Sequence, residues 1–198
     1  MKANRTLILN TLMIVILFMS CKKEENNPTP TPSTIAIGES YQGGKVAYIL
    51  QPGDIGYDAN VQHGLIVAPF DQTTGALYNA GAFWGCLGTE ISGANGTAIG
   101  TGAQNTIDIM NGCGTAGIAA RVCGDLVLGG YSDWYLPSKN ELNKLYINRV
   151  AIGGFASNGY WSSSEFDNSN AWKQLFTDGS QWSNGKSATS GMRAVRSF

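Results

Sequence analysis

The stretch GGYSDWYLPSKNELNKLY, residues 129–146, decides the fold because it contains, in this order, a turn, a proline that ends regular structure and the start of a helix. Pro137 has no backbone N–H and restricts the residue before it, so any regular element must end there. Ser138 stands three residues before Glu141, the spacing of a capping box, in which each side chain accepts a hydrogen bond from a free N–H at the helix start. Apolar residues then follow at helical spacing. We predict a stiff structural corner in which Ser138 and Glu141 support the fold rather than catalyse a reaction.

The segments on either side of this corner predict an α+β domain. Alternating apolar runs bounded by Gly and Pro are typical of strands, and Asp178-Gly179 is a strong hairpin signal. Tryptophans recur at about the interval of one strand plus one turn, as in an antiparallel meander. Helices between an N-terminal strand pair and a C-terminal meander give the α+β class. The predicted strands are 45–50, 64–68, 160–164, 171–176, 180–183 and 192–196; the predicted helices are 106–110, 116–126 and 138–149; residues 71–104 are predicted to be long ordered loops.

The N-terminus is predicted to be a lipoprotein signal peptide. Two basic residues precede an apolar run over 7–19 that is shorter than the roughly 20 residues of a membrane span. Ser20-Cys21 directly after this run resembles a bacterial lipobox, which implies cleavage before Cys21 and lipidation of its thiol. An ordinary signal peptide with a chance cysteine is the alternative. We therefore divide the chain into a signal peptide (1–20), an anchor cysteine with its tether (21–37) and a folded domain (38–198).

The segment after Cys21 is predicted to be a tether. It is polar, and three of the six prolines of the chain lie in residues 28–32. Such a segment cannot bury enough apolar surface to fold, and it stays extended as a semi-rigid spacer. The expected location is the outer membrane, lipid-anchored and exposed at the cell surface, with the lipid as the only membrane contact.

Charge and motifs argue against several classes of function. Residues 39–198 hold nine Lys and Arg against twelve Asp and Glu, which does not favour nucleic acid binding. Residues 139–198 hold seven basic and four acidic residues, so this is the segment where an anionic ligand would bind if the protein has one. The sequence has a single histidine and lacks the serine-hydrolase, P-loop and C-x-x-C motifs. We predict no enzyme, cofactor or metal site, and the oxygen-rich residues 165–170 are expected to form a polar loop rather than a calcium site.

Three cysteines remain after lipidation, in an oxidising compartment that permits a disulfide. On one continuous helix Cys113 and Cys123 would lie about 15 Å apart, beyond bridging distance. Glycines at 112, 114 and 117 could break that helix, so this pairing stays open. We favour Cys86–Cys113, with Cys123 as a small buried hydrophobe on a helix face.

Five motifs resemble one family. They are QHGLIVAP at 62–69, GTGAQNT at 100–106, the corner at 129–146, YWSSSE at 160–165 and RAVRSF at 193–198. Together they resemble the Lcl C-terminal domain family, found at the end of collagen-like bacterial adhesins and alone on lipoproteins. The resemblance implies a C-type-lectin-like fold and binding of sulfated glycans at the cell surface. The sequence has no collagen-like Gly-X-Y tract, so the oligomer-forming stalk of those adhesins is missing.

Two functions fit these observations. One is a glycan- or matrix-binding adhesin-like domain, whose partners would be sulfated or acidic glycans or another surface protein. The other is an accessory or structural lipoprotein of an outer-membrane assembly, with no small ligand. For the first, aromatic rings would stack on sugars and basic groups would pair with sulfate or carboxylate. The candidate ligand-binding residues are Trp172, Lys173, Trp182, Lys186 and Arg193, whose alternative roles are core tryptophans and solvated cations.

The last strand predicts different roles for its two arginines. Side chains alternate along a strand, and Arg193 and Arg196 are three positions apart, so they should point to opposite faces. We expect Arg196 to point inward and pair with a carboxylate such as Asp133 or Glu165. We expect Arg193 to face solvent and bind the ligand.

Overall fold

Short helices and strands joined by long loops make up the protein, for which a computed structural model describes residues 34–73 and 81–198. The predicted signal peptide, Cys21 and most of the predicted tether lie outside the described residues. Within the described ranges, no helix is long and apolar enough to cross a membrane. The strands are β1 Ser40–Tyr41, β2 Gly44–Ile49, β3 Gly64–Val67, β4 Ala82–Phe83, β5 Gly159–Glu165, β6 Asn170–Leu175, β7 Gln181–Gly185, β8 Thr189–Ser190 and β9 Val195–Ser197. The helices are α1 Gly102–Gly112, α2 Ala119–Gly124, α3 Lys139–Ile147 and α4 Arg149–Ile152.

The strands form small antiparallel sheets, which confirms the predicted α+β class. One sheet has the order β1-β2-β3-β9, a second pairs β4 with β8, and the third is the predicted meander β5-β6-β7. The last strand departs from the prediction in two ways. It starts at Val195 instead of Met192, and it joins the N-terminal sheet, where Val195 lies opposite Val67.

The corner forms as the sequence predicts, and it also clamps a loop. The Ser138 hydroxyl accepts a hydrogen bond from the Glu141 N–H, and a Glu141 carboxylate oxygen accepts one from the Ser138 N–H at 2.7 Å, which completes the capping box. The second carboxylate oxygen accepts a hydrogen bond from the Gly100 N–H at 2.8 Å. A Cβ at Gly102 would lie 2.2 Å from this carboxylate, so only glycine fits there. Burial raises the pKa of Glu141 despite these donors.

Two apolar clusters form the core, and β5 contributes to both. Trp161 belongs to the cluster that joins α1, α2 and the disulfide region, together with Trp84. Its neighbour Tyr160 belongs to the cluster that joins the N-terminal sheet to α3, together with Phe176. Adjacent residues of a strand point to opposite faces, so one strand can serve two clusters.

The cysteines pair as expected. Cys86 and Cys113 form a disulfide whose Cα atoms lie 5.8 Å apart. Cys123 is free and fully buried on α2, so the open alternative Cys113–Cys123 is wrong. Burial raises the pKa of the Cys123 thiol, which keeps it protonated and unreactive.

Candidate ligand-binding surface

The meander displays its candidate residues on two opposite faces. Trp172 and Lys173 are neighbours on β6, so their side chains point to opposite sides of the sheet. Lys173 lies directly between Trp161 on β5 and Trp182 on β7. Trp172 and Trp182 are therefore on different faces, and a single small ligand could not contact both.

The face that carries Trp172 packs against α3 through amide side chains. Gln174 donates a hydrogen bond to the Asn143 side chain at 2.8 Å, and Gln181 donates one to the Lys139 carbonyl at 3.0 Å. Both glutamines belong to the same sheet face as Trp172 by alternation and pairing. Helix α3 is thereby fixed beside Trp172.

Lys139, Trp172 and Phe166 form a cluster that we call the Trp172 corner. The Lys139 Nζ lies 3.3 Å from the centroid of the Trp172 ring. The Phe166 ring meets the same tryptophan edge-on, with centroids 5.2 Å apart, and Phe166 is 53% exposed. Trp172 and Lys139 are half-buried. The Trp172 corner thus combines an exposed aromatic ring, a partly exposed ring and a cation.

The capped start of α3 positions Lys139. Its backbone N–H donates a hydrogen bond to the Ser164 hydroxyl at 2.9 Å, and its carbonyl accepts the bond from Gln181. Strands β5 and β7 therefore hold the backbone of Lys139 from two sides, while its side chain extends over Trp172. The sequence does not single out Lys139, because its contact with Trp172 joins residues far apart in the chain.

Lys173 and Trp182 keep partly exposed positions on the opposite face. The Lys173 Nζ lies 5.8 Å from the Trp161 ring centroid and 5.6 Å from that of Trp182. Burial lowers the pKa of Lys173. A Cβ at Gly159 would approach the Lys173 side chain to 2.1 Å, so its stem fills the space above that glycine. This lysine is packed between two rings, whereas Lys139 lies over one.

Lys186 does not face a ligand, contrary to the prediction. Its side chain is fully buried and pairs closely with Glu165, whose side chain is only 4% exposed. It also donates a hydrogen bond to the Thr89 carbonyl at 2.7 Å and lies 4.8 Å from the Trp84 ring centroid. A buried cation requires a charge partner and hydrogen bonds, and these fix Lys186 as a structural residue.

Arg193 is also buried, so its predicted role is wrong. It has no exposed surface, and it donates hydrogen bonds to Asp71 at 2.6 Å and to the Ala68 carbonyl at 3.0 Å. Arg193 lies against Phe155, which packs on one core cluster, and Arg196 lies against a ring that packs on the other, so the two arginines do point to opposite sides. The prediction failed because both sides are covered by the protein.

Arg196 pairs with Asp133, the first of its two proposed partners. Two parallel hydrogen bonds of 2.7 and 2.8 Å join its guanidinium to the Asp133 carboxylate. The guanidinium carbon lies 3.9 Å from the Tyr131 ring centroid. The Arg196 hydrogen bonds hold the pKa of Asp133 below its ordinary value. Arg196 therefore links β9 to the segment before α3 that contains Asp133.

The carboxylates of the oxygen-rich residues 165–170 accept hydrogen bonds from within the protein. Glu165 accepts hydrogen bonds from Lys186 and from the Ile91 N–H. The Asp167 carboxylate accepts bonds from the Ser169 and Asn170 backbones and from the Asn170 amide. Among the residues described, no group of three or more His, Cys, Asp or Glu side chains is arranged to hold a metal ion.

These features define a disulfide-bonded α+β domain with an aromatic and cationic surface corner. The chain belongs to the Lcl C-terminal domain family, whose profile matches residues 82–196. The fold is also similar to that in the crystal structure of a fimbrial protein from Bacteroides ovatus ATCC 8483, with a TM-score of 0.50 and 18% identity. That match covers 77% of this chain and 43% of the fimbrial protein, so this chain spans less than half of its length. No curated protein matches the chain.

Proposed function

We propose that this protein is a surface-displayed, lipid-anchored adhesin-like domain that binds acidic glycans at the Trp172 corner. The observation that carries the proposal is the meeting of Trp172 with the exposed ring of Phe166 and the ammonium of Lys139. Aromatic rings supply flat apolar area for a sugar ring, and a cation supplies a partner for sulfate or carboxylate.

The distribution of ion pairs supports this choice of site. Lys186, Arg193 and Arg196 each pair with a carboxylate. Lys139 and Lys173 make no ion pair within the described parts of the chain, so their charge remains for a ligand. Of these two, Lys139 adjoins an exposed aromatic ring, and this favours its face of the meander.

Family membership supports the adhesin-like part of the proposal. The chain belongs to the Lcl C-terminal domain family, whose resemblance to the ends of collagen-like adhesins motivates the proposal, and the similar solved structure is a fimbrial protein. The lipid anchor rests on the sequence around Cys21, outside the described residues. An anchored domain on a polar tether could reach ligands beyond the membrane surface.

The accessory lipoprotein remains the competing function. The burial of Lys186 and Arg193 favours it, because two of the five candidate ligand-binding residues serve the fold instead. This leaves a smaller cationic surface than the sequence indicated.

A glycan array separates the two functions. The purified protein is tested against neutral, carboxylated and sulfated oligosaccharides at low and high salt. Adhesin-like function predicts retention of anionic glycans and weaker retention at high salt, because salt screens exposed charges. No retention of any glycan at either salt concentration would leave the accessory function.

A further inference from the structure

We propose that Lys139 determines glycan specificity by covering the Trp172 ring, so that anionic sugars are accepted and neutral ones are disfavoured. The inference rests on the proposed function and assigns one residue of the Trp172 corner a distinct role. In the free protein the lysine ammonium occupies ring surface that a sugar would need. A sugar that stacks there must first displace it.

The geometry supports a covering position. The Lys139 Nζ is 3.3 Å from the Trp172 centroid, which leaves no room for a sugar ring between them. The other lysines that lie near rings in the described residues are more distant, for example Lys144 at 4.6 Å from Tyr48 and Lys186 at 4.8 Å from Trp84. Lys139 thus makes the closest lysine–ring contact described.

The contacts of Lys139 allow its ammonium to cover the Trp172 ring in a fixed place and to leave it again. Its backbone is fixed by hydrogen bonds to Ser164 and Gln181, so the side chain always starts from the same point beside the ring. Beyond Cβ the chain is flexible, and no carboxylate of the described residues holds its ammonium in an ion pair. The ammonium can therefore leave the ring without breaking an ion pair.

Displacement has different consequences for the two classes of sugar. A cation–ring contact at an exposed site contributes about two- to fivefold in an equilibrium constant. A neutral sugar that displaces the ammonium loses this contribution and has no charged group with which the ammonium can pair. An anionic sugar presents a sulfate or carboxylate to the displaced ammonium. A charge-assisted hydrogen bond of this kind contributes about tenfold or more.

The test uses matched variants and matched sugars. Lys139→Ala removes both the charge and the stem that covers the ring, whereas Lys139→Arg keeps a charge. Lys144→Ala is the control, since it removes a charge from the same helix beside a different ring. Affinities are measured for a uronic-acid oligosaccharide with its carboxyl-reduced neutral form, and for a sulfated galactan oligosaccharide with its unsulfated form. The two pairs distinguish carboxylate from sulfate as the group recognised.

The expected result is a change of opposite sign for the two classes of sugar. Lys139→Ala should strengthen binding of the neutral sugar about two- to fivefold, because the cover is gone. It should weaken binding of the anionic form by at least about two- to fivefold, because the lost hydrogen bond of about tenfold or more outweighs the removed cover. Lys139→Arg should keep the preference for the anionic sugar, and Lys144→Ala should change both affinities by less than about twofold.

Two results overturn the inference in different ways. If wild type binds the anionic sugars but Lys139→Ala does not strengthen neutral binding, or weakens anionic binding no more than Lys144→Ala does, Lys139 does not set specificity and the proposed function stands. If wild type binds no member of either pair, the proposed function fails and this inference fails with it.

Discussion

Arg193 and Arg196 show that a strand pattern gives the direction of a side chain but not its exposure. Both arginines are buried and paired, whereas we predicted one inward and one exposed. The prediction for Arg196 was confirmed, down to its partner Asp133. The prediction for Arg193 failed because both sides of this segment are covered, since Ala194 lies in one core cluster and Val195 in the other. Alternation gives the side to which a side chain points and does not give its exposure.

Arg193→Ala should destabilise the fold rather than weaken ligand binding alone. The change removes the donor to one Asp71 oxygen and to the Ala68 and Gly154 carbonyls. We expect a loss of at least about 2 kcal/mol in the free energy of unfolding. Arg149→Ala is the matched control, since among the residues described the Arg149 side chain makes only a local carbonyl bond and a ring contact, both with Tyr146. It should cost less than about 1 kcal/mol. Denaturant unfolding measures both, and equal costs would contradict the assigned role of Arg193.

The Asp133 carboxylate should make the free energy of unfolding depend on pH in the acidic range. Its pKa is lower in the folded protein than the ordinary value of 3.8, mainly through hydrogen bonds from Arg196. The stabilisation is therefore complete above the ordinary pKa and is lost as pH falls through the lower folded pKa. The Tm difference between wild type and Asp133→Asn should be constant above about pH 5 and shrink below about pH 4. Asp58→Asn, at an exposed position with no ion pair among the described residues, serves as the surface control. A gap for Asp133→Asn that stays constant into acid would exclude this linkage.

The capped start of α3 is the element that the sequence predicted best. Its signals are local, because the proline stop, the capping box and the apolar spacing all lie within a few residues of one another. The sequence did not reveal what the helix does for the surface. Its cap holds loop residues through Gly100, and its first residue places a cation over Trp172. Both contacts join segments distant in the chain.

Ser138→Ala should cost about 1–2 kcal/mol, because it removes both the N-cap and the hydrogen bond that the hydroxyl donates to the Ala98 carbonyl. Thermal unfolding measures the cost. Ser138→Thr offers the same hydroxyl chemistry and should retain part of the lost stability. Unchanged melting of Ser138→Ala together with lost glycan binding would show that the cap serves the ligand rather than the fold.

The architecture as a whole could be predicted only in part. The α+β class, the helix order and the meander followed from periodicity and turn residues. The return of β9 to β3 could not be predicted, since pairing between the two ends of a domain leaves no local pattern. The same limit applies to the binding surface. Tryptophans and lysines could be recognised as candidates, but burial alone separated Lys186 and Arg193 from the Trp172 corner.

Lipidation at Cys21 is a prediction about the N-terminal segment, which lies outside the described residues. A fatty-acid probe fed to producing cells should label the wild type and leave Cys21→Ser unlabelled, because the thiol is the attachment point implied by the lipobox. Labelling must also survive denaturing extraction, as a covalent bond requires. Equal labelling of both proteins would show that the chain is not anchored through Cys21.

The most direct test of the proposed function is the affinity of three proteins for one anionic oligosaccharide: wild type, Trp172→Ala and Trp182→Ala. The two tryptophans are matched, since both are half-buried on adjacent strands, but they occupy opposite faces of the meander. Each variant is first shown to melt as a folded protein. Binding at the Trp172 corner predicts at least about tenfold weaker affinity for Trp172→Ala and less than about twofold change for Trp182→Ala. Loss of affinity in Trp182→Ala with Trp172→Ala unchanged, or equal affinity in all three proteins, would contradict it.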